Sequence, residues 1–132
     1  MIKQIVCDKK SWYSINLVDD RNKIVGIDEE QQCCEHFGWG FYMLSDDKAE
    51  NFGNYDKGDD LGDRPHDLSE IKKPDLTKAY FAEEQPLAGE GKFKIEGSPD
   101  CNWLIIYNYH NGYYSHGFRF AEGDKTLYEG AL

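Results

Sequence analysis

An Asn-Gly step flanked by two aromatic-rich runs constrains this chain more than any other feature. Residues 103–120 read WLIIYNYHNGYYSHGFRF. Asn-Gly between alternating apolar residues is the strongest short-range signal for a two-residue type I′ β-hairpin, because both loop positions need positive φ. With Asn111-Gly112 as the loop, His110 faces Tyr113, Tyr109 faces Tyr114, Tyr107 faces His116, Ile105 faces Phe118 and Trp103 faces Phe120. Cross-strand partners share a face. One side therefore collects Trp103, Ile105, Tyr107, Tyr109, Tyr114, His116, Phe118 and Phe120, while Leu104, Ile106, Asn108, His110, Tyr113, Ser115, Gly117 and Arg119 take the other. A one-residue slip would scramble this sorting, so pattern and turn agree.

The remainder of the chain reads as strands and turns around that unit. Residues 11–18 (SWYSINLV) and 23–27 (KIVGI) flank the turn-rich Asp19-Asp20-Arg21-Asn22, a second hairpin with Tyr13, Ile15 and Leu17 toward the core. Residues 2–6 form a candidate edge strand. In 28–44, Asp28 is placed to cap a helical turn, which Gly38 and Gly40 break before a strand at WGFYML. Asp67-Leu68-Ser69-Glu70 has capping-box spacing, but Pro74 stops any helix there after about one turn. The best helix is 75–84, with Asp75 as cap, Leu76, Ala79 and Tyr80 on one face, and Pro86 as terminator. GKFKIEG at 91–97 is a short strand that feeds the 103–120 hairpin through Ser98-Pro99-Asp100. The expected fold is α+β and strand-dominated: a twisted antiparallel sheet of about five to seven strands built from β-hairpins, with one short helix packed on it. At 132 residues and 14% aromatic, the chain suits one domain (1–132) with a real core.

The clearest loop is 46–67, DDKAENFGNYDKGDDLGDRPHD. It holds Asp46, Asp47, Glu50, Asp56, Asp59, Asp60, Asp63 and Asp67 against Lys48, Lys57 and Arg64, a local balance of −5. Half of the chain's net charge of −10 thus sits in one sixth of its length. Loops this long inside a compact domain are usually functional or disordered. A domain so acidic repels phosphate backbones, which argues against direct nucleic-acid binding, and it speeds encounter with a basic partner. Asp46, Asp47, Asp56, Asp59, Asp60, Asp63 and Asp67 are therefore the candidate partner-binding residues, since spaced carboxylates can imitate a row of phosphates. Simple solubility accounts for the same charge.

Other chemistries fare poorly. Cys33, Cys34, Glu35 and His36 suggest a metal, but contiguous residues cannot all converge on one ion, and a site would need help from Cys7, Cys101, His110 or His116. All four cysteines are read as free thiols, because a cytosolic chain keeps thiols reduced and adjacent cysteines bridge only with strain. DKGDDLGD at 56–63 is rich in Asp and Gly but lacks the alternating ligands and closing Glu of an EF-hand. His110 and Ser115 share a face without a carboxylate beside them, and triads are recognised by geometry. No Walker loop, dinucleotide fingerprint, H-E-x-x-H or G-x-S-x-G occurs. Base stacking on the aromatic strands would need a basic groove, and the hairpin offers only Arg119. No catalytic residue, metal or cofactor is expected. The mean hydropathy of −0.76 and the lack of an apolar run near 20 residues argue against a membrane span, and the charged start MIKQIVCDKK against a signal peptide. The cytoplasm is the expected location.

CCEH at 33–36 together with NGYYS at 111–115 resembles a family of small uncharacterised bacterial and phage proteins with a Cys-Cys-Glu segment and a C-terminal Asn-Gly-Tyr-Tyr-Ser hairpin. The match rests on roughly a dozen residues and leaves the acidic loop unmatched. His110 stands where the family commonly has Ser, and EHFGWGFY where it has a shorter aliphatic segment. The resemblance implies a compact β-rich fold and a phage or mobile-element setting, and carries over no catalytic residue. The leading expectation is a non-enzymatic accessory protein that engages a basic host protein, itself a nucleic-acid binder or a component of host defence. Sequestration of a small ligand on an aromatic face is the first alternative, and a metal-dependent hydrolase the second.

Overall fold

The computed structural model describes residues 1–6, 15–28, 36–52, 70–109 and 117–131. Among the described residues, nine strands form two antiparallel sheets: β1 (Lys3–Val6), β2 (Ile15–Val18), β3 (Lys23–Ile27), β4 (His36–Tyr42), β5 (Tyr80–Phe81), β6 (Lys92–Glu96), β7 (Trp103–Tyr109), β8 (Gly117–Glu122) and β9 (Lys125–Ala131). The five-stranded sheet has the order β1-β2-β3-β8-β9 and the four-stranded sheet the order β4-β7-β6-β5. One short helix, α1 (Asp46–Glu50), and a 3₁₀ turn at Ala88–Glu90 complete the described elements.

The sheets pack face to face. Ile15, Leu17, Val25, Ile27, Phe118 and Phe120 from the larger sheet meet Phe41, Phe81, Phe93, Ile95, Leu104 and Ile106 from the smaller in one buried cluster. Aromatic rings join the two layers: Phe93 stacks on Phe120 with centroids 5.5 Å apart, and meets Phe118 at 6.0 Å and 75°. Such pairs add about 0.5–1.5 kcal/mol beyond their area.

The second hairpin forms where its sequence reads it over the described residues 15–27, while 11–14, with Tyr13, lie outside the described residues. β2 and β3 pair with Leu17 opposite Val25, Ile15 and Leu17 are buried, and β1 is an edge strand against β2. Among the described residues, the pairs expected for 103–120, Ile105 with Phe118 and Trp103 with Phe120, do not form. β7 lies between β4 and β6, with Trp103 opposite Tyr42 and Lys94, whereas β8 lies between β3 and β9, with Phe120 opposite Val25 and Tyr128. The physical cause is that β7 is apolar on both faces. A two-stranded unit with one buried face would leave either Trp103 and Ile105 or Leu104 and Ile106 in water. As an inner strand, β7 turns Leu104 and Ile106 to the intersheet core and Trp103 and Ile105 to a second cluster outside it. Asn111-Gly112 lies outside the described residues.

The helix expected at 75–84 is absent. Asp75 accepts a hydrogen bond from Thr77 N at 3.1 Å, Ala79 N closes a single turn on Leu76 O, and Tyr80–Phe81 joins the sheet as β5 opposite Glu96 and Ile95. Phe81, 1% exposed, gains more from the intersheet core than a short helix returns. Among the described residues the α-helix falls instead in the acidic segment, at Asp46–Glu50. β8 and β9, a hairpin the sequence reading passed over, turn through Gly123-Asp124, with Gly123 at φ 58°.

Candidate functional site

The outer face of the four-stranded sheet carries the acidic helix and a cleft beside it. The helix begins where β4 ends. Asn102 clamps that junction: its Nδ2 donates to Leu44 O at 2.7 Å, its Oδ1 accepts from Leu44 N at 2.8 Å, and its own N–H bonds Tyr42 O. Ser45 then caps α1, accepting from Lys48 N at 3.2 Å, and Asp46 and Asp47 in the first turn complement the positive end of the helix.

A buried cation holds the other end. Lys92 is 0% exposed, and its Nζ donates to Glu50 O at 3.1 Å and lies 3.6 Å from Glu90 Oε1. Burial pushes the Lys92 ammonium below its ordinary pKa, opposed by the carboxylates of Glu90 and Glu50. Ala49 and Phe52 pack with Tyr42, Trp103 and Ile105, and the Phe52 ring meets Tyr42 at 5.6 Å and Tyr107 at 6.3 Å. The helix is thus fixed by a cap, an apolar underside and a charged anchor, while Asp46, Asp47 and Glu50 stay exposed.

Glycines in β4 let neighbours come close. A Cβ on Gly38 would lie 2.4 Å from Tyr107 Oη, and one on Gly40 2.4 Å from Glu70 Oε1. Burial, and then the Glu70 charge, raise the Tyr107 phenol above its ordinary pKa.

Beside α1 the sheet face opens into a cleft of about 420 Å³. Tyr80, Lys94 and Glu96 rise from β5 and β6 into it. Lys94 pairs with Asp46 at 3.4 Å and sits 5.9 Å from the Trp103 ring centroid. The Arg21 guanidinium, from the β2–β3 turn, lies 3.7 Å from the Tyr80 ring centroid, and the Tyr80 hydroxyl donates to Glu96 at 3.2 Å.

Of the residues expected to bind a partner, Asp46 and Asp47 stand on α1; Asp56, Asp59, Asp60, Asp63 and Asp67 lie outside the described residues. So do Cys7, Cys33, Cys34, Glu35, His110, Ser115 and His116. Cys101 is buried and free, and burial raises its thiol pKa above the ordinary value. Among the described residues no three His, Cys, Asp or Glu side chains gather as for a metal, and no helix is long and apolar enough to cross a membrane. Sequence reasoning passed over Lys92 and Lys94. Their signal was the alternation in KFKIE, which puts Lys92, Lys94 and Glu96 on one face and Phe93 and Ile95 on the other.

No family model, no curated protein and no solved structure matches the chain.

Proposed function

We propose that this chain is a non-enzymatic binding protein of the cytoplasm, an accessory protein of a phage or mobile element, whose acidic surface engages a basic host protein that itself binds nucleic acid. The observation that carries the reading is the mounting of α1: Asp46, Asp47 and Glu50 face solvent on a helix anchored beneath by the buried Lys92. A fixed row of carboxylates loses less entropy on binding than a free one, and it steers a basic partner from a distance. The net charge of −10 and the further carboxylates of Asp56, Asp59, Asp60, Asp63 and Asp67 extend the same field along the sequence.

The test begins with the full chain as bait in a bacterial lysate, the captured protein being identified by mass spectrometry and re-made pure. Association is then measured by stopped flow across a salt series. Replacing Asp46, Asp47, Asp56, Asp59, Asp60 and Asp63 by Asn is expected to leave the fold intact, slow association by about tenfold and flatten its salt dependence. Binding indifferent to both the substitutions and salt would refute the acidic-surface reading. Thermal stabilisation by a small molecule, with no protein captured, would favour ligand sequestration instead.

A further inference from the structure

We propose that the cleft beside α1 docks an arginine or lysine side chain of that basic partner protein; this rests on the reading above that the partner is basic. The charges already in the cleft are unequally engaged. Lys94 is paired with Asp46, Arg21 lies on the Tyr80 ring, and Glu96 accepts from the Tyr80 hydroxyl. Glu83 and Glu84 line the cleft, are exposed, and carry no hydrogen bond or ion pair among the described residues. The charge left to be met is therefore negative.

Ala82 and Pro86 line the same cleft and give it an apolar wall. That pairing suits a long basic side chain, whose methylene stem lies on apolar surface while its cation reaches carboxylates at the mouth. A volume of about 420 Å³ admits one such side chain with water around it. The occupant is part of a protein and not a free small cation because Asp46 ties the cleft to α1 through Lys94, and Asp47 stands next to it. A chain with spaced basic residues meets both sets of carboxylates at once, which a single free cation cannot do.

The experiment titrates the ¹⁵N-labelled full chain with an amidated hexa-arginine peptide at two salt concentrations. Chemical shifts of Ala82, Glu83, Glu84 and Lys94 are expected to move, and the double variant Glu83→Gln/Glu84→Gln to bind about fivefold or more weakly. The variant Asp124→Asn/Glu129→Gln, with the same change in net charge on the far sheet, is expected to lose less than about twofold. Peptide binding that moves only α1 and is untouched by Glu83→Gln/Glu84→Gln would overturn the cleft while leaving the acidic-surface reading in place. No binding of the peptide would overturn both. Spermidine moving the same resonances as tightly as the peptide would assign the cleft to free polyamines and overturn its assignment to a protein side chain.

Discussion

Asp19 is the residue whose loss should do the most damage for its size. It is 5% exposed and accepts three backbone hydrogen bonds. Oδ1 takes Arg21 N at 2.9 Å and Lys23 N at 2.8 Å, closing the β2–β3 turn. Oδ2 takes Phe81 N at 2.9 Å, on the edge strand of the other sheet. One carboxylate thus ties a turn of the five-stranded sheet to β5 of the four-stranded one. Hydrogen bonds to a charged acceptor contribute about 1.5–3 kcal/mol each, and a buried donor left unmet costs about 1–3 kcal/mol. The Lys23 and Phe81 donors are buried and the Arg21 donor is half-buried. Asp19→Ala should therefore cost about 3–5 kcal/mol, a large share of the stability of a domain this size. Asp19→Asn keeps one acceptor oxygen and turns an amide donor toward the third N–H, so about 2–3 kcal/mol is expected. Urea unfolding followed by tryptophan fluorescence gives both values, and native-state hydrogen exchange isolates the intersheet bond at the Phe81 amide. A cost below about 1 kcal/mol for Asp19→Ala, or an unchanged exchange rate at Phe81, would refute the reasoning.

Lys92 predicts a pH dependence. Its folded pKa lies below the ordinary 10.5, so between the two values the unfolded chain binds more protons and stability rises with pH. Measured against Lys92→Met, in which the opposing effect of Tyr107 is shared, the wild-type chain should gain stability from pH 7 toward pH 10; a relative loss would contradict the anchor. Gly97 has φ 82°, and a Cβ there would lie 2.2 Å from Lys78 O, so Gly97→Ala should cost about 2 kcal/mol or more by urea unfolding. Gly38→Ala meets the tip of the Tyr107 side chain, Oη at 2.4 Å and Cζ at 2.6 Å, and no backbone, so it should cost less and be relieved by the shorter Tyr107→Leu; equal costs would contradict the distinction. Cys101, 1% exposed, should resist iodoacetamide in the folded chain and react once urea unfolds it, read by mass mapping of its peptide.

Local order was legible in the chain and pairing between distant segments was not. The β2–β3 hairpin could be read because everything it needs lies within about fifteen residues: alternation that buries Ile15 and Leu17, and a polar turn at 19–22. β6 and the edge strand β1 were readable for the same reason. β7 and β8 were visible as strands, yet their partners were not, because alternation says which residues share a face and leaves open which strand lies alongside. Leu104 and Ile106 could be satisfied equally by a neighbour in one sheet or by Phe118 and Phe120 across a sandwich; burial of both faces of β7 decided for the sandwich. The segment 75–84 carries helical spacing, and tertiary packing overrode it by drawing Phe81 into the core.

The candidate site divides along the same line. That the chain is acidic, and that Asp46 and Asp47 belong to its acidic segment, was settled by composition alone. That they stand on a helix was not, since five residues of DDKAE hold a helix only when Ser45 caps it and Ala49 has an apolar seat. The cleft, with Arg21, Tyr80, Glu84 and Lys94 drawn from both sheets and the link between β5 and β6, has no trace in any one stretch of sequence. Charge and alternation are properties of neighbours along the chain, and the sequence determined those. Which strands share a sheet, which lysine is buried and which carboxylates face a common cleft depend on how two apolar faces close over one another, and only the tertiary structure decided them.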